Sequence, residues 1–536
     1  MHSRYPPWLI LLSILPLLAG IVGHDLWTPD EPREAEIALE MAEGKSPLVP
    51  TLAGAPFVEK PPLYYWISAL SLKTLGRLIG MTAAARAVSA LAGLLTLLIL
   101  YLAAGETLGK PRGLAAALVL ASLYGFFYAS HWILMDGLLM FFIAAAVLLL
   151  HDGLERDRPL CLASAGLFGG LAFLTKGPIA FVLIAPFWAA LLFSGRAARR
   201  RRPIALIAGF LLLVGPALAW MAAYRAAGGE ELWREWWVQN QFGRLAGKAG
   251  GHERGILYYF GALPYVILPW TFAFLGWIVH RRMRKMPEAG PERRLLIAAA
   301  AGALGGFILL SIPGSKRETY LFPLLPAFAL LVVRAMEDPL PWVKWSLRVF
   351  SILLIAVLAA FAFLTPVWTA GRLSVAGGFR WAALAGGLAA ALSYLRFRRD
   401  SLAQTASVAA CFYLTAAVAG FPLIDRYKSY GPAVSELADA IPPEAAGRVC
   451  IFLSDETNLA MFSWYRGLQL EDVRGVERLG RILTGEDERY SWVISAGRNF
   501  PPPDFTLPSF RIVKEVTMGR RRSLLLVTGS VEPLIP

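Results

Sequence analysis

Charge is what this chain has least of. Lysine, arginine, aspartate and glutamate make up 17% of its 536 residues, where a soluble domain carries about a quarter. Cysteine is nearly absent. Of the three, Cys161 and Cys411 fall in apolar stretches and Cys450 stands alone in a polar tail, which excludes a disulfide framework and a cysteine metal site. No low-complexity tract and no repeat of the soluble kind is found.

Apolar residues, by contrast, reach 57%. They cluster in blocks of roughly 18 to 22, long enough to cross ~30 Å of hydrocarbon as helices. Backbone groups find no water there, so each block reads as a helix. Thirteen spans follow, near 8–23, 83–103, 113–129, 134–151, 159–174, 178–194, 204–223, 262–280, 295–312, 320–335, 346–366, 380–396 and 402–422. Glycines four apart, Gly166 with Gly170 and Gly302 with Gly306, suit close helix packing in lipid. The N-terminus, Arg4 and then an apolar run from Trp8 to Val22, looks like a signal peptide. Without a small-x-small cleavage site, and with many spans behind it, it is expected to stay as the first span.

The net charge of +14 does not call for a nucleic-acid partner. Its excess lies in short runs between apolar blocks: Arg196 with Arg199 to Arg202, Arg281 to Lys285, and Arg396 with Arg398 and Arg399. Basic loops mark the cytoplasmic side. With the N-terminus inside, all three clusters fall inside, together with Lys110, Arg112, Arg156 and Arg158. The spans were placed by apolarity alone, so this agreement is an independent check. An odd number of spans leaves the tail outside.

The expected division is a membrane part over 1–423, with a first outer loop at about 24–82, and a soluble tail over 424–536. That loop is too long for a simple connection. It carries two amphipathic candidates, Arg33 to Glu43 with Ile37 and Met41 one turn apart, and Leu63 to Leu75, of the kind that lie along an interface. A second outer segment near 224–261 holds Trp233, Trp236 and Trp237, suited to headgroup depth. In the tail, helices near 432–440 and 456–466, strands at 449–453 and 490–495, and a hairpin over 511–527 make a small α/β domain.

Charges at the ends of spans are costly to bring near hydrocarbon and point to function. The first loop opens with TPDEPREAE, Thr28 to Glu36. Thr28 and Glu31 have capping-box spacing, with Pro29 in the first helical position. Pro32 argues against that start. A start at Pro32 leaves Asp30 and Glu31 ahead of the helix, either capping it or facing a cavity. Next comes FVEKPPLYYW, Phe57 to Trp66, in which two prolines hold Lys60 extended beside Glu59 and Tyr64. Lys60 either snorkels as an anchor or meets an anionic headgroup. Asp136, in SHWILMDG, sits within an apolar helix near its outer end, and Lys176, in FLTKGP, lies at an outer hairpin. Lys316 and Arg317, in PGSKRETYLFPLLP, are also outer, with Tyr320 entering the next span. Together these form a phosphate-holding and acid–base inventory on one side.

At these residues the sequence resembles a known family. TPDEPREAEIALEM, followed about twenty residues later by VEKPPLYYW, is similar to the lipid A aminoarabinose transferases. These are bacterial GT-C glycosyltransferases distantly related to protein O-mannosyltransferases. The likeness extends through Asp136, the Lys176 turn and the Lys316–Tyr320 stretch. It implies an α-helical polytopic GT-C protein of the inner membrane, with its α/β domain in the periplasm. The implied activity moves a sugar, aminoarabinose or a related one, from a polyprenyl-phosphate donor to lipid A or another lipid or glycan. Asp30 would act as general base or orient the acceptor, and Asp136 would assist. Lys60, Lys176 and Arg317 would hold phosphate, with Glu31, Glu59, Tyr64, Lys316 and Tyr320 in the substrate site. No cofactor is expected. Some relatives carry a metal near the loops that hold Glu59 and His252, but two ligands make a weak zinc site, so none is expected here. A monomer is expected, surrounded by membrane lipids.

The rival reading is a transporter or flippase of polyprenyl-linked lipids. Its polar residues should gather at the midplane, at broken helices in repeated halves; here they gather at outer ends. A purely structural protein leaves Asp136 and the Asp30/Lys60 pairing without a purpose.

Overall fold

The computed structural model describes residues 5–193, 203–243, 253–280, 283, 286–368, 373–445, 447–502, 509–518 and 522–529. The chain forms two compact units, one of residues 1–22, 58–67 and 86–420, the other of 23–57, 68–85 and 421–536.

The first unit is helical. Among the described residues, eight helices are long and apolar enough to cross a membrane, or nine if one bent pair counts as a span. Helices Pro7–Ala19 and Ile179–Phe193 are apolar but shorter. The chain is a multi-pass membrane protein. Gly166 packs so closely that a Cβ there would lie 1.8 Å from the Gly209 carbonyl oxygen, and one at Gly170 would lie 2.5 Å from that of Leu212. Small residues therefore set how closely helices Pro159–Lys176 and Pro203–Arg234 approach. Gly302 and Gly306 play the same part against Phe187 and Leu324.

Two spans expected to be continuous are broken. Helices Lys110–Ala121 and Tyr124–His131 meet at 69°. The groups freed at the bend find partners: Trp270 Nε1 donates to Ser122 Oγ at 2.8 Å, Tyr413 Oη to Ser122 O at 3.2 Å, and Tyr124 N to Leu268 O at 2.9 Å. Irregular backbone survives at this depth only when satisfied by protein. The expected span 262–280 likewise divides into Tyr258–Val266 and Thr271–Val279. Pro269 lies in the break, where it cannot supply a helical N–H. In the outer Trp cluster, Trp236 is buried against protein while Trp233 and Trp237 are half-buried. The helical segment Pro203–Arg234 runs past the expected span end and is kinked at Gly229, and Trp236 lies 5.0 Å from Trp220.

In the second unit, helix Glu31–Ala42 is buried on nearly every face rather than lying along an interface. It packs on helix Glu456–Arg466 of the tail, where Glu36 meets Ser463, and its buried residues include glutamates as well as Ile37 and Met41. Beyond it, strands β1 (Thr51–Leu52) and β2 (Ala55–Pro56) form a hairpin. Its turn, Ala53-Gly54, has positive φ at both residues, as a primed turn requires. Helix Leu63–Ile79, which begins in the first unit, does leave Leu70 and Leu78 exposed, consistent with an interfacial face.

The tail adds β3 (Val449–Phe452), β4 (Asp472–Val473), β5 (Trp492–Ala496), β6 (Phe510–Met518) and β7 (Arg522–Gly529). The sheet order is β4-β3-β5-β7-β6, with β3 parallel to β4 and β5, and β7 antiparallel to β5 and β6. Val449 and Ile451 point to one core, with Met461 and Phe462; Cys450 and Phe452 point to the other, with Leu479 and Leu483. That period of two is what a sheet covered on both faces demands.

Candidate active site

In the first unit the site is built where span ends meet. Asp136 lies in the first turn of helix Met135–Arg156, and Lys176 is the last residue of helix Pro159–Lys176. Each charge has the sign its helix end favours. Lys176 Nζ donates to Asp136 Oδ1 at 2.5 Å, with the two side chains 13% and 6% exposed. The same ammonium stands 4.5 Å from the centre of the Tyr320 ring, within reach of a cation–π attraction. Gly177, with φ +76, then turns the chain sharply.

That turn abuts the Lys60 segment. A Cβ at Gly177 would sit 3.8 Å from Pro61 and 3.8 Å from the Gln241 amide oxygen. Asn240 Nδ2 donates to Val58 O at 3.3 Å. The half-buried Glu59 and Lys60 are thus held next to the Lys176 turn, with Tyr64 buried one turn on. Asn240 and Gln241 carry no charge to mark them; three amides in a row, Gln239 to Gln241, after a Trp-rich run were the available signal.

Lys316 is committed elsewhere. It is buried, and its ammonium donates to the carbonyls of Arg254, at 3.1 Å, and Pro313. Arg317 is half-buried, and its carbonyl accepts from Tyr259 Oη at 3.2 Å, while Glu318 accepts from Tyr258 Oη at 2.9 Å. These bonds fix the short helix Glu318–Leu324 that carries Tyr320. The structure therefore brings Asp136, Lys176, Tyr320 and the Glu59–Lys60 segment together, and gives Lys316 a loop-clamping task.

Asp30 and Glu31 belong to the second unit. Asp30 stands in the N-cap position of helix Glu31–Ala42, yet its side chain makes no capping bond. It pairs instead with Arg33, Oδ1 to Nη2 at 3.0 Å, and Arg33 reaches Glu456 at 2.7 Å. Burial works against the Arg33 charge, but Glu34, Glu456 and Asp30 outweigh it and raise its pKa. The backbone-satisfying role passes to Glu31, whose carboxylate accepts from Trp27 N at 2.7 Å. Glu36 is buried and accepts from the Ser463 hydroxyl at 2.5 Å; burial pushes its pKa up to about 7. Glu40 accepts from Lys45 at 2.9 Å, from Gly54 N at 2.7 Å and from Thr51. Among the described residues no cluster of His, Cys, Asp or Glu is placed to hold a metal ion. Glu59 is described and His252 lies outside the described residues.

The family profile described as dolichyl-phosphate-mannose-protein mannosyltransferase matches residues 59–220, which include Glu59, Lys60, Asp136 and Lys176. The undecaprenyl phosphate-alpha-4-amino-4-deoxy-L-arabinose arabinosyl transferases of Pseudomonas savastanoi pv. phaseolicola and Pseudomonas aeruginosa are 28% and 30% identical to the chain over 357 and 353 residues. Those alignments cover 63% of this chain in each case. ArnT from Cupriavidus metallidurans, in a crystal structure bound to undecaprenyl phosphate, superposes with a TM-score of 0.75 over 97% of both chains at 19% identity. In sequence the chain is similar to these arabinosyl transferases, and it shares the fold of ArnT.

The likeness of fold extends to the oligosaccharyltransferase of Archaeoglobus fulgidus, solved in complex with Zn and sulfate. Its TM-score is 0.51 at 14% identity, over 91% of this chain and 67% of that one. In sequence, the match spans 63% and 61% of the two Pseudomonas relatives, a little under two thirds of their length.

Proposed function

We propose that the chain is a glycosyltransferase that moves a sugar from a polyprenyl-phosphate donor to a lipid or glycan acceptor. The nearest specific assignment is aminoarabinose carried on undecaprenyl phosphate, in keeping with the names of its relatives, with lipid A as the acceptor we propose. The reaction takes place on the periplasmic face of the inner membrane. The chain has thirteen spans over 1–423, counting the shorter and broken helices, with the α/β tail at 424–536 outside and the whole working as a monomer.

The observation that carries this reading is the Lys176–Asp136 pair, set beside Tyr320 and the Glu59–Lys60 segment at the ends of spans. In the transfer, an acceptor oxygen attacks the anomeric carbon while the bond from that carbon to the phosphate oxygen breaks. The leaving polyprenyl phosphate gains negative charge, which Lys176, Lys60 and Arg317 neutralise. Asp136 holds the Lys176 ammonium in place and lends it to the phosphate as charge develops. Asp30 takes the proton of a hydroxyl acceptor, or orients a phosphate acceptor that needs no deprotonation. Glu31, Glu59, Tyr64 and Tyr320 shape the substrate site, with Lys316 keeping its loop in position. This chemistry needs no resident cofactor.

A transporter would concentrate polar groups at the midplane, whereas Asp136 and Lys176 occupy terminal turns. The test is transfer by the purified chain in liposomes holding the polyprenyl-phosphate sugar and lipid A. A covalent mass gain on lipid A is expected; movement of the donor across the bilayer without a new bond would replace the reading with a flippase.

A further inference from the structure

A cavity of about 390 Å³ in the first unit lies away from the residues discussed above, lined by Arg348, Tyr394, Arg398, Arg399 and Gln404. It is formed by helices Pro341–Trp368, Leu373–Arg396 and Ser401–Thr415 with the turn between the last two. Among the described residues none of the three arginines pairs with a carboxylate. Asp400, in the same turn, accepts from Leu402 N at 3.0 Å and Ala403 N at 3.1 Å as a helix cap. The three arginines are exposed, so water and salt screen their mutual repulsion, and an anion seated among them would add direct charge pairing.

A second observation points to a ligand. Gln404 is 1% exposed, and its Nε2 donates to Tyr394 O at 2.9 Å, while its Oε1 has no partner. A buried amide oxygen left without a donor is costly, and here it belongs to a side chain lining the cavity. The surroundings are those of a membrane rim. Trp342 and Trp345, on the helix that carries Arg348, are 38% and 65% exposed. Trp8, 43% exposed, packs 5.5 Å from Phe397, the neighbour of Arg398. Exposed tryptophan beside arginine is the composition of headgroup depth.

We propose that this cavity binds the phosphate of an anionic glycerophospholipid, with Arg348, Arg398 and Arg399 on the phosphate oxygens and Gln404 Oε1 accepting a headgroup hydroxyl. Planar guanidinium groups match phosphate with paired, charge-assisted bonds. The hydroxyl acceptor selects a glycerol headgroup over one bearing only phosphate. The basic run Arg396–Arg399 marks this as the cytoplasmic end, where anionic lipids and basic segments attract each other. The site therefore anchors the last spans to lipid on the side opposite the transfer reaction.

The test is native mass spectrometry of the full-length protein in mild detergent, loaded with phosphatidylglycerol, phosphatidylethanolamine and phosphatidic acid in equal amounts. The chain should keep phosphatidylglycerol several-fold over phosphatidylethanolamine. The triple variant Arg348→Gln, Arg398→Gln, Arg399→Gln should lose that preference, and the corresponding triple lysine variant should recover most of it. Gln404→Leu should keep anionic lipids but no longer favour phosphatidylglycerol over phosphatidic acid. Equal retention by the glutamine triple variant, with the same elution volume as the parent, overturns the site. Displacement of the lipid by an excess of inorganic phosphate overturns the lipid assignment in favour of a free anion.

Discussion

Lys176 donates to Asp136 across 2.5 Å, from the last turn of one helix to the first turn of another. Both side chains are nearly buried, so each needs the other. Removing one partner of a buried pair leaves an uncompensated charge, at a cost of about 3–5 kcal/mol, whereas replacing both with apolar groups is often neutral. Lys176→Met should therefore lower the thermal unfolding midpoint in detergent more than Lys176→Met with Asp136→Leu does. Both variants should be inactive in transfer. Equal or additive destabilisation would show that the two charges do not depend on each other.

Asp30 and Glu31 are adjacent carboxylates with different work. Glu31 satisfies Trp27 N, while Asp30 pairs with Arg33 and leaves the helix start uncapped by its side chain. Asp30→Asn should abolish transfer and also lower the thermal midpoint, because it leaves Arg33 with Glu456 in place of two carboxylate partners. Glu31→Gln should cost more stability, because a charged acceptor of a buried backbone N–H is weakened. The midpoints of the two variants, measured side by side, check this; a larger loss in Asp30→Asn would make Asp30 the structural residue of the two.

Glu36 gives the second unit a pH dependence. Burial, then neighbouring Glu40 and Glu43, raise its pKa to about 7, against the Ser463 hydrogen bond and Lys45, which lower it. The folded state thus holds a proton that the unfolded chain has already released. The Glu36 contribution is present in full below the ordinary carboxylate range and is lost as pH rises through about 7. Thermal unfolding between those limits should show stability falling with pH, by on the order of 3 kcal/mol across the window. Glu36→Gln should remove that part of the slope. An unchanged slope would mean that other groups carry it.

Lys60 should act on donor binding. Its segment is held against the Lys176 turn by Pro61 and by Asn240 on Val58 O. Lys60→Ala should weaken retention of a polyprenyl phosphate in a binding assay. Unaltered retention would take Lys60 out of the phosphate site.

Much of this arrangement was legible from local pattern. Helix Glu456–Arg466 has the bounds its periodicity predicts, and β3 ends within one residue of expectation. Elements with little local signal escaped: β4 has two residues, and helix Val476–Thr484 begins after Gly475 without a capping side chain. Long-range pairing was invisible. Nothing in TPDEPREAE says that Arg33 will meet Glu456, or that the glutamates of an amphipathic helix will be buried by the tail. Asp136 and Lys176, both read as charges at span ends, pair with each other. Lys316, read in the same way, uses its ammonium on the Arg254 and Pro313 carbonyls, a pairing out of reach because a sequence does not reveal which loop carbonyls converge.

The most direct measurement is mass spectrometry of lipid A and other envelope glycans from cells with the intact gene, without it, and with Asp136→Asn. Glycosyl transfer predicts a sugar increment that is present only with the intact gene, and a polyprenyl-phosphate donor that accumulates in the other two strains. Identical covalent structures in all three, with only the distribution of the donor between leaflets changed, would contradict it.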